Sequence, residues 1–245
     1  MVRCLFCATY LFTITSCEED ADALTLPSAG NFLKPTSAPR FTDLGLSVMW
    51  ANENINEDGF FAWGELNIKS SYGWDSYAYC VGMDFTRMKK YTIKDGKKEL
   101  EREHDVAFVC WTPDTTLIKM DGKDVIQVFQ WRMPNKSQME ELRSRCTWTW
   151  TKRNNTLGYE VKGPSGRTIF FPAYGQKLMG MDVLYEKRGC YWTRTLGSSD
   201  DSAEALVFDR DTIDNDLQHY KDEICVVPFH RAAGCCVRPI AVRIK

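Results

Sequence analysis

The chain has 245 residues, a formal net charge of −2 at pH 7 and no long segment of biased composition, which indicates a soluble globular protein. A nearly neutral charge balance does not favour binding to nucleic acid, so no nucleic-acid partner is expected. The chain contains eight tryptophans. Because burying one such ring stabilises a fold by about 4 to 6 kcal/mol, most of them should lie in the core.

Residues 1–16 are predicted to be an export signal that is separate from the fold. Arg3 precedes an apolar run from Cys4 to Thr15, which is too short to span a bilayer as a permanent helix. The stretch Ile14-Thr15-Ser16-Cys17 resembles a bacterial lipobox, in which the last cysteine becomes the acylated first residue of the mature protein. An ordinary secretory signal that carries a chance cysteine here is the alternative.

The segment 17–40 is predicted to be a flexible tether behind an acylated Cys17. Its acidic run from Glu18 to Asp22 resembles the export signal of lipoproteins that Bacteroidetes display on their surface, and Pro, Gly, Ser and Thr follow up to Arg40. Several acyl chains on one cysteine, at about 0.8 kcal/mol per buried methylene, would hold the protein on a membrane almost irreversibly. We therefore expect a palmitate-bearing outer-membrane lipoprotein that is exposed on the cell surface.

Residues 41–245 are predicted to form a single domain that begins with two strands. Between Phe41 and Ile55, apolar residues occupy every second position from Leu44 to Trp50, which is typical of one face of a strand. The aromatic segment from Phe60 to Leu66 predicts a second strand after the break at Gly59.

Three aromatic residues follow at Tyr72, Trp74 and Tyr77, between small polar residues. Flat rings in this setting can cover the apolar face of a sugar while neighbouring polar groups bind its hydroxyls, so these residues are candidates for ligand binding. Packing of the same rings into the core is the alternative and the simpler interpretation.

Two further elements are predicted before Pro134. The segment from Lys97 to Cys110 is typical of a short helix. The segment 112–129, with a turn at Asp121-Gly122 between two runs of β-forming residues, predicts a hairpin. Because surface hairpins tolerate variation, this one is a candidate source of ligand specificity.

The stretch around Pro134 predicts an extended segment followed by a helix. Proline disfavours the helical conformation in the residue before it, so Trp131 to Met133 should be extended. Asn135 with Gln138, or Ser137 with Glu140, matches a capping box that would start the helix. The predicted buried stripe of this helix consists of Met139 and Leu142.

The C-terminal part is predicted to add more strands. The sequence Gly163-Pro164-Ser165-Gly166 is typical of a hairpin turn. Further strands are predicted at Gly189 to Leu196, Ala203 to Phe208 and Cys235 to Ile244. Pro239 cannot donate a hydrogen bond to a ladder, so it should lie at an edge or an irregularity.

Short motifs recur along the chain in a recognisable order: Asp43 to Ala51, Phe61 to Glu65, Trp131 to Pro134, Cys146 to Trp150, Tyr191 to Thr193 and Val237 to Pro239. Their order and rough spacing resemble the Fibrobacter succinogenes major paralogous domain family of Bacteroidetes surface proteins. The resemblance covers the chain from about Phe41 to the C-terminus. Relative to that family, the hairpin at 112–129 is an insertion.

A looser resemblance concerns the fold. Arg132-Met133-Pro134 and the helix after it are similar to a segment of sulfatase-modifying factors and other C-type-lectin-like domains. This resemblance implies an α+β, C-type-lectin-like fold, with a twisted, mainly antiparallel sheet, one or two short helices and long loops.

Candidate metal ligands are few. His104, His219 and His230 are not at ligand spacing, so neither a zinc site nor histidine-based catalysis is expected. No cofactor is expected, with calcium as the possible exception. Near the C-terminal part of the chain, four aspartates and one asparagine form an oxygen-rich cluster: Asp209, Asp211, Asp214, Asn215 and Asp216. A calcium ion would suit these oxygens, and a solvated hairpin tip is the alternative. The cluster does not match the sugar-binding pattern of calcium-dependent lectins.

Seven cysteines follow the predicted lipidation site: Cys80, Cys110, Cys146, Cys190, Cys225, Cys235 and Cys236. An odd number cannot pair completely within one chain, and a bond between the adjacent Cys235 and Cys236 would be awkward. Most are expected to be small buried residues, and an oxidising compartment would allow one or two disulfides. The surroundings of the last three cysteines do not reproduce the motif that sulfatase-modifying factors use for metal-dependent oxidation.

The expected function is that of a non-catalytic ligand-binding or adhesion module on the cell surface, with a glycan, a polymer or a protein as its partner. This expectation follows from the resemblance and from the fold class that it implies. A structural subunit of a surface assembly is one alternative. An oxidative enzyme that uses Cys235 or Cys236 is a weaker one. Recognition is expected in the loops 71–79, 112–129 and 209–216.

Overall fold

The computed structural model describes residues 41–111, 113–120, 123–210 and 223–243, and within them it describes the side chains of all but 114–120 and 123–127. The predicted signal, Cys17 and the tether therefore lie outside the described residues. The same holds for three of the calcium candidates, Asp211, Asp214 and Asp216.

Antiparallel strands dominate the described part of the chain, with few short helices, as an α+β or mainly β fold requires. In chain order the strands are β1 (Phe41–Thr42), β2 (Met49–Ala51), β3 (Cys80–Val81), β4 (Asp84–Met88), β5 (Asp114–Met120), β6 (Lys123–Arg132), β7 (Thr147–Arg153), β8 (Thr156–Lys162), β9 (Thr168–Pro172), β10 (Gln176–Leu178), β11 (Met181–Val183), β12 (Arg188–Leu196), β13 (Ser202–Asp209), β14 (Ile224–His230) and β15 (Ile240–Arg243). The α-helices are α1 (Val106–Cys110) and α2 (Lys136–Arg145), and single 3-10 turns lie at Ile93–Asp95 and Arg102–His104.

The strands form several small sheets instead of the one twisted sheet that was expected. The largest within the described residues has the order β1-β2-β15-β6-β5, and two three-stranded sheets have the orders β7-β8-β9 and β12-β13-β14. The segment 234–236 lies between several elements, because Cys235 pairs with Phe61, Gly234 pairs with Lys177 of β10 and Cys236 pairs in parallel with Tyr191 of β12. The buried hydrophobic residues form two core groups.

The strand predicted between Phe41 and Ile55 is interrupted, which corrects the sequence-based expectation. Gly45 has a φ of +76°, and its N–H donates to the Asp43 carboxylate at 2.8 Å, an arrangement that turns the chain locally. The backbone can then reverse, so that Phe41 pairs with Ala51 across an antiparallel ladder. The apolar alternation from Leu44 to Trp50 continues past this turn, so the alternation alone did not predict it.

The second predicted strand and the first predicted helix are also shorter than expected. Between Phe60 and Leu66, ladder pairing is confined to the bridge of Phe61 with Cys235, and Gly64 adopts a φ of +79°. The helix predicted from Lys97 to Cys110 contains only a 3-10 turn and α1, because the side chain of Asp105 caps α1 from inside that segment. Because an N-cap residue marks where a helix begins, α1 cannot extend back toward Lys97.

The elements around Pro134 and the two hairpins agree with the sequence. Asn135 accepts the Gln138 N–H at 2.9 Å and the Gln138 side chain accepts the Asn135 N–H at 2.8 Å, so the first of the two capping alternatives is confirmed. The hairpin β5-β6 pairs Met120 with Lys123, and β8-β9 flanks the predicted turn. Pro239 lies in an irregular stretch before β15.

The interior is built from aromatic residues, as the composition predicts. Five of the eight tryptophans are buried, namely Trp50, Trp63, Trp111, Trp131 and Trp192. Trp131 packs edge to face against Trp111 with ring centroids 4.9 Å apart. Met139 and Leu142 are fully buried, so the predicted stripe of α2 is confirmed.

Candidate functional site

Tyr72 and Tyr77 belong to the core, which corrects their assignment as ligand-stacking residues. Their exposed fractions are 0% and 3%. The Tyr72 hydroxyl donates to the Phe60 carbonyl at 2.5 Å, and the Tyr77 hydroxyl donates to the Trp63 carbonyl at 2.7 Å. Burial raises the pKa of Tyr72 to about 12 and that of Tyr77 further. A sugar cannot stack on rings that the protein covers.

Trp74, the third candidate, lies half-buried at the surface and forms an aromatic patch with Phe85 and with His230, which is distant in sequence. Its ring centroid is 6.2 Å from that of Phe85 and 6.0 Å from that of His230. Phe85 is 51% exposed, and the His230 side chain is 69% exposed. We call Trp74, Phe85 and His230 the Trp74 patch.

Local turns place two of the three rings. Gly82 and Met83 have φ angles of 59° and 64° and lie between the paired residues Val81 and Asp84, so β3 and β4 are joined by a tight turn of the kind that favours hairpins. Phe85 follows this turn on β4. On the other side, the Ser76 hydroxyl accepts the Gly73 N–H at 3.2 Å and shapes the loop that carries Trp74.

A buried arginine fixes the base of the patch. The guanidinium carbon of Arg231 lies 4.8 Å from the Trp63 ring centroid, and Arg231 follows His230 directly in the chain. Its Nε donates to the Tyr77 hydroxyl at 3.0 Å. Its terminal nitrogens donate to three backbone carbonyls, those of Lys90, Tyr91 and Asp200. A buried guanidinium is tolerated when its N–H groups are hydrogen-bonded in this way, and these bonds tie together the segments under the patch.

Polar groups border the Trp74 patch. His230 Nδ1 lies 3.9 Å from a carboxylate oxygen of Asp201, and the Ser199 hydroxyl donates to that carboxylate at 2.5 Å. Asp75, next to Trp74, is exposed. The patch thus combines an accessible apolar ring surface with hydroxyl and carboxylate groups, which are groups that can bind a ligand.

A second polar cluster, which sequence reasoning missed, consists of Glu101, Glu103 and His104. One ligand atom from each lies within 4.8 Å of the other two. These groups already have partners: Lys97 Nζ bonds Glu101 at 2.5 Å, and the Tyr91 hydroxyl contacts His104 Nδ1 at 2.5 Å. Lys97 gives Glu101 the positive charge that a metal ion would bring, so we interpret the cluster as structural.

His104 has an unusual environment within that cluster. Burial and the nearby ammonium of Lys90 lower its pKa below the ordinary 6.5. Lys90 Nζ lies 3.4 Å from His104 Nε2, and the rings of Tyr79 and Tyr91 pack edge to face against the imidazole. This environment favours the neutral imidazole.

Asp209 is not available to calcium, which corrects its place among the candidate ligands. It is fully buried at the end of β13, and its two oxygens accept from Arg188 Nε at 2.6 Å and Nη2 at 2.7 Å. Such a two-point arginine pair is strong and geometrically specific. Only Asp209 of the predicted cluster is described, and its role is to join β12 to β13.

Comparison of the chain with family models, curated proteins and solved structures finds no match. Within the described residues, no helix is both long and apolar enough to cross a membrane.

Proposed function

We propose that the protein is a non-catalytic, lipid-anchored module of the cell surface and that it binds carbohydrate through the Trp74 patch. The observation that carries the proposal is the exposed grouping of Trp74, Phe85 and His230 on a base fixed by Arg231. Rigid aromatic surfaces bind ligands well because little conformational freedom is lost on association.

The proposed fold of this module is C-type-lectin-like. Three features support it: the mainly antiparallel strands, the few short helices, and the extended Trp131 to Met133 segment that leads through Pro134 into α2. Membership of the Fibrobacter succinogenes major paralogous domain family is part of the same proposal, and the order of the sequence motifs supports it. Both assignments favour binding, because the sequence motifs contain no catalytic set.

The size and charge of the patch favour a carbohydrate over a protein or an anion. A stable protein interface buries about 800 Å² per partner, which is more than three side chains offer. The neighbouring Asp75 and Asp201 repel phosphate and sulfate groups. A neutral or amino sugar avoids this repulsion, covers the Trp74 ring with its C–H face and donates its hydroxyls to the carboxylates.

A structural role as a subunit of a surface assembly is the second candidate. It is favoured by the tip of the hairpin β10-β11, where Met179 is 76% exposed and Met181 is 60% exposed. Methionine is common at surfaces that contact several partners. If this role is correct, a partner should co-purify after mild detergent extraction, and replacing Met179 and Met181 with Ser should release it.

The oxidative-enzyme alternative has little support. Cys235 and Cys236 are buried, and burial raises the pKa of both thiols. Reactive cysteines have the opposite properties, namely exposure and a lowered pKa. Any activity that a Cys235→Ala, Cys236→Ala double variant retained would be independent of these thiols.

A glycan-binding screen with the purified soluble domain tests the binding role. For any glycan that binds, Trp74→Ala should weaken affinity about tenfold or more, since loss of a stacked ring costs at least about 1.4 kcal/mol. Phe85→Ala should weaken it less. The control is Tyr185→Ala, which removes a ring of similar exposure to that of Phe85 on a different segment. Binding that Trp74→Ala leaves unchanged, or no glycan above background, would overturn the proposal.

The anchor is tested separately. Cys17→Ala should abolish labelling by a radioactive or clickable fatty acid, and labelling that persists would exclude lipidation at this residue. Protease treatment of intact cells should digest the wild-type domain. Protection from the protease would place the domain on the periplasmic face.

A further inference from the structure

Two cysteines that are far apart in sequence lie side by side in the core. The Cys236 N–H donates to the Cys190 carbonyl at 2.9 Å, and the Trp192 N–H donates to the Cys236 carbonyl at 3.0 Å. These bonds define a parallel pair of Tyr191 with Cys236. In a parallel ladder the preceding residues are also opposite each other, so Cys190 lies opposite Cys235.

The side chains of this pair point to the same side. Cys190 and Cys235 belong to one group of core residues, together with Phe61 and Trp192, whereas Tyr191 and Cys236 belong to the other. This division follows from the alternation of side chains along a strand. Burial raises the pKa of the Cys235 thiol, and the neighbouring Cys190 thiol raises it further.

The backbone geometry suits a disulfide. Adjacent strands are about 4.8 Å apart, and a disulfide joins Cα atoms that are about 4.4 to 6.8 Å apart. Cys236 is the wrong partner for either residue, because its side chain points to the opposite side of the same segment. Sequence reasoning could not identify the pair, since the partners are separated by β13 and β14.

We propose that Cys190 and Cys235 form an intramolecular disulfide in the mature protein and that Cys236 stays a thiol. The oxidant is a disulfide-bearing protein of the thiol-oxidoreductase class. One thiolate attacks a sulfur of the oxidant and forms a mixed disulfide while one oxidant thiol leaves. The second thiolate attacks that mixed disulfide and releases the second thiol. The chain loses two protons and two electrons, and the oxidant becomes a dithiol.

The reaction takes place before the core closes. Both thiols are fully buried in the folded domain, so a protein oxidant reaches them only in a partly folded chain. Burial also raises the pKa of the Cys235 thiol, which suppresses its thiolate after folding. The proposal rests on the exported location in the proposed function, because oxidising compartments are where such bonds form and persist.

Peptide mapping tests the pairing. Full-length protein from an exporting host is denatured in iodoacetamide to block free thiols, digested with trypsin and examined by mass spectrometry. The expected product joins the peptide that begins at Gly189 to the peptide that begins at Ala232. The second peptide contains both Cys235 and Cys236. Cys236→Ala should therefore keep the cross-link, while Cys235→Ala and Cys190→Ala should each abolish it.

A second measurement tests the Cys190–Cys235 disulfide independently of whether the protein is exported. The reduced full chain is refolded with oxidised glutathione and mapped in the same way. If the cross-link forms in neither preparation, the pairing is wrong. The lipidation proposal is unaffected by that result, because the Cys17 labelling experiment tests it separately. A cross-link formed on refolding but absent from the exported protein would overturn the modification in cells. Alkylation of all three thiols, or a cross-link that Cys236→Ala removes, would also overturn it.

The bond should also change thermal stability. Closing the loop from Cys190 to Cys235 restricts the unfolded chain, and reduction should lower the unfolding midpoint of the wild type by roughly 5 to 15 °C. The midpoint of Cys190→Ala should not respond to reductant, and Cys236→Ala should respond as the wild type does. Equal responses of Cys190→Ala and wild type would contradict the assignment.

Discussion

The carboxylate of Asp105 accepts the backbone N–H of Met133 at 3.1 and 3.0 Å, and so joins the start of α1 to the extended segment before Pro134. The same carboxylate accepts the N–H groups of Ala107 and Phe108 in the first turn of α1. One fully buried side chain therefore caps a helix and fixes the end of β6.

Asp105→Ala should destabilise the domain by about 3 to 5 kcal/mol, because it leaves buried N–H groups of α1 and Met133 without this acceptor. Urea unfolding monitored by tryptophan fluorescence measures the change. The control is Asp95→Ala, which removes an exposed capping carboxylate and should cost about 1 kcal/mol or less. Equal losses in the two variants would contradict the central role of Asp105.

Arg231→Lys should destabilise the domain by about 3 kcal/mol or more, because an ammonium cannot reproduce the fork that reaches three separate carbonyls. It should also weaken glycan binding, since Arg231 supports the segments under Trp74. Arg238→Lys is the matched control: Arg238 is equally buried, and it bonds Asn54, Ala51 and Phe170 away from the patch. Arg238→Lys should lower the free energy of unfolding, but the folded protein should bind the glycan with unchanged affinity. Calorimetric titration measures that affinity.

The free energy of unfolding should rise with pH across the range just below 6.5. Burial and Lys90 lower the pKa of His104 in the folded state, so between the lowered pKa and about 6.5 the unfolded chain binds more protons than the folded one. Stability from this residue is present above 6.5 and is lost as the pH falls. Urea unfolding at pH 5.0, 6.0 and 7.5 measures the slope. His104→Gln should flatten it, and an unchanged slope would exclude His104 as its source.

Asp209→Ala should destabilise the domain by about 3 to 5 kcal/mol, because it removes the buried carboxylate that Arg188 binds at two points. Replacing both residues together, with Arg188→Met and Asp209→Leu, should recover much of the loss, since no buried charge is then left behind. Chemical unfolding of Arg188→Met, Asp209→Leu and the double variant gives the coupling energy. Additive losses would show that the pair does not act as a unit.

The sequence by itself determined the elements whose cause is local. The cap at Asn135 and Gln138, the buried stripe of α2 and the hairpins β5-β6 and β8-β9 depend on residues a few positions apart, so spacing was enough to predict them. The break after Thr42 also has a local cause, the turn at Asp43 and Gly45. It was missed because the apolar alternation continued through the turn.

The tertiary structure alone decided which residues form the candidate site. The spacing of Tyr72, Trp74 and Tyr77 does not reveal which rings face solvent and which face the core. In the fold, the hydroxyls of Tyr72 and Tyr77 donate hydrogen bonds to the buried carbonyls of Phe60 and Trp63. Trp74 comes close to Phe85 and His230 only when its loop packs against β4 and the end of β14. Cys190 meets Cys235 through a parallel ladder between distant segments. Such contacts depend on long-range packing, and one sequence does not reveal which distant segments will meet.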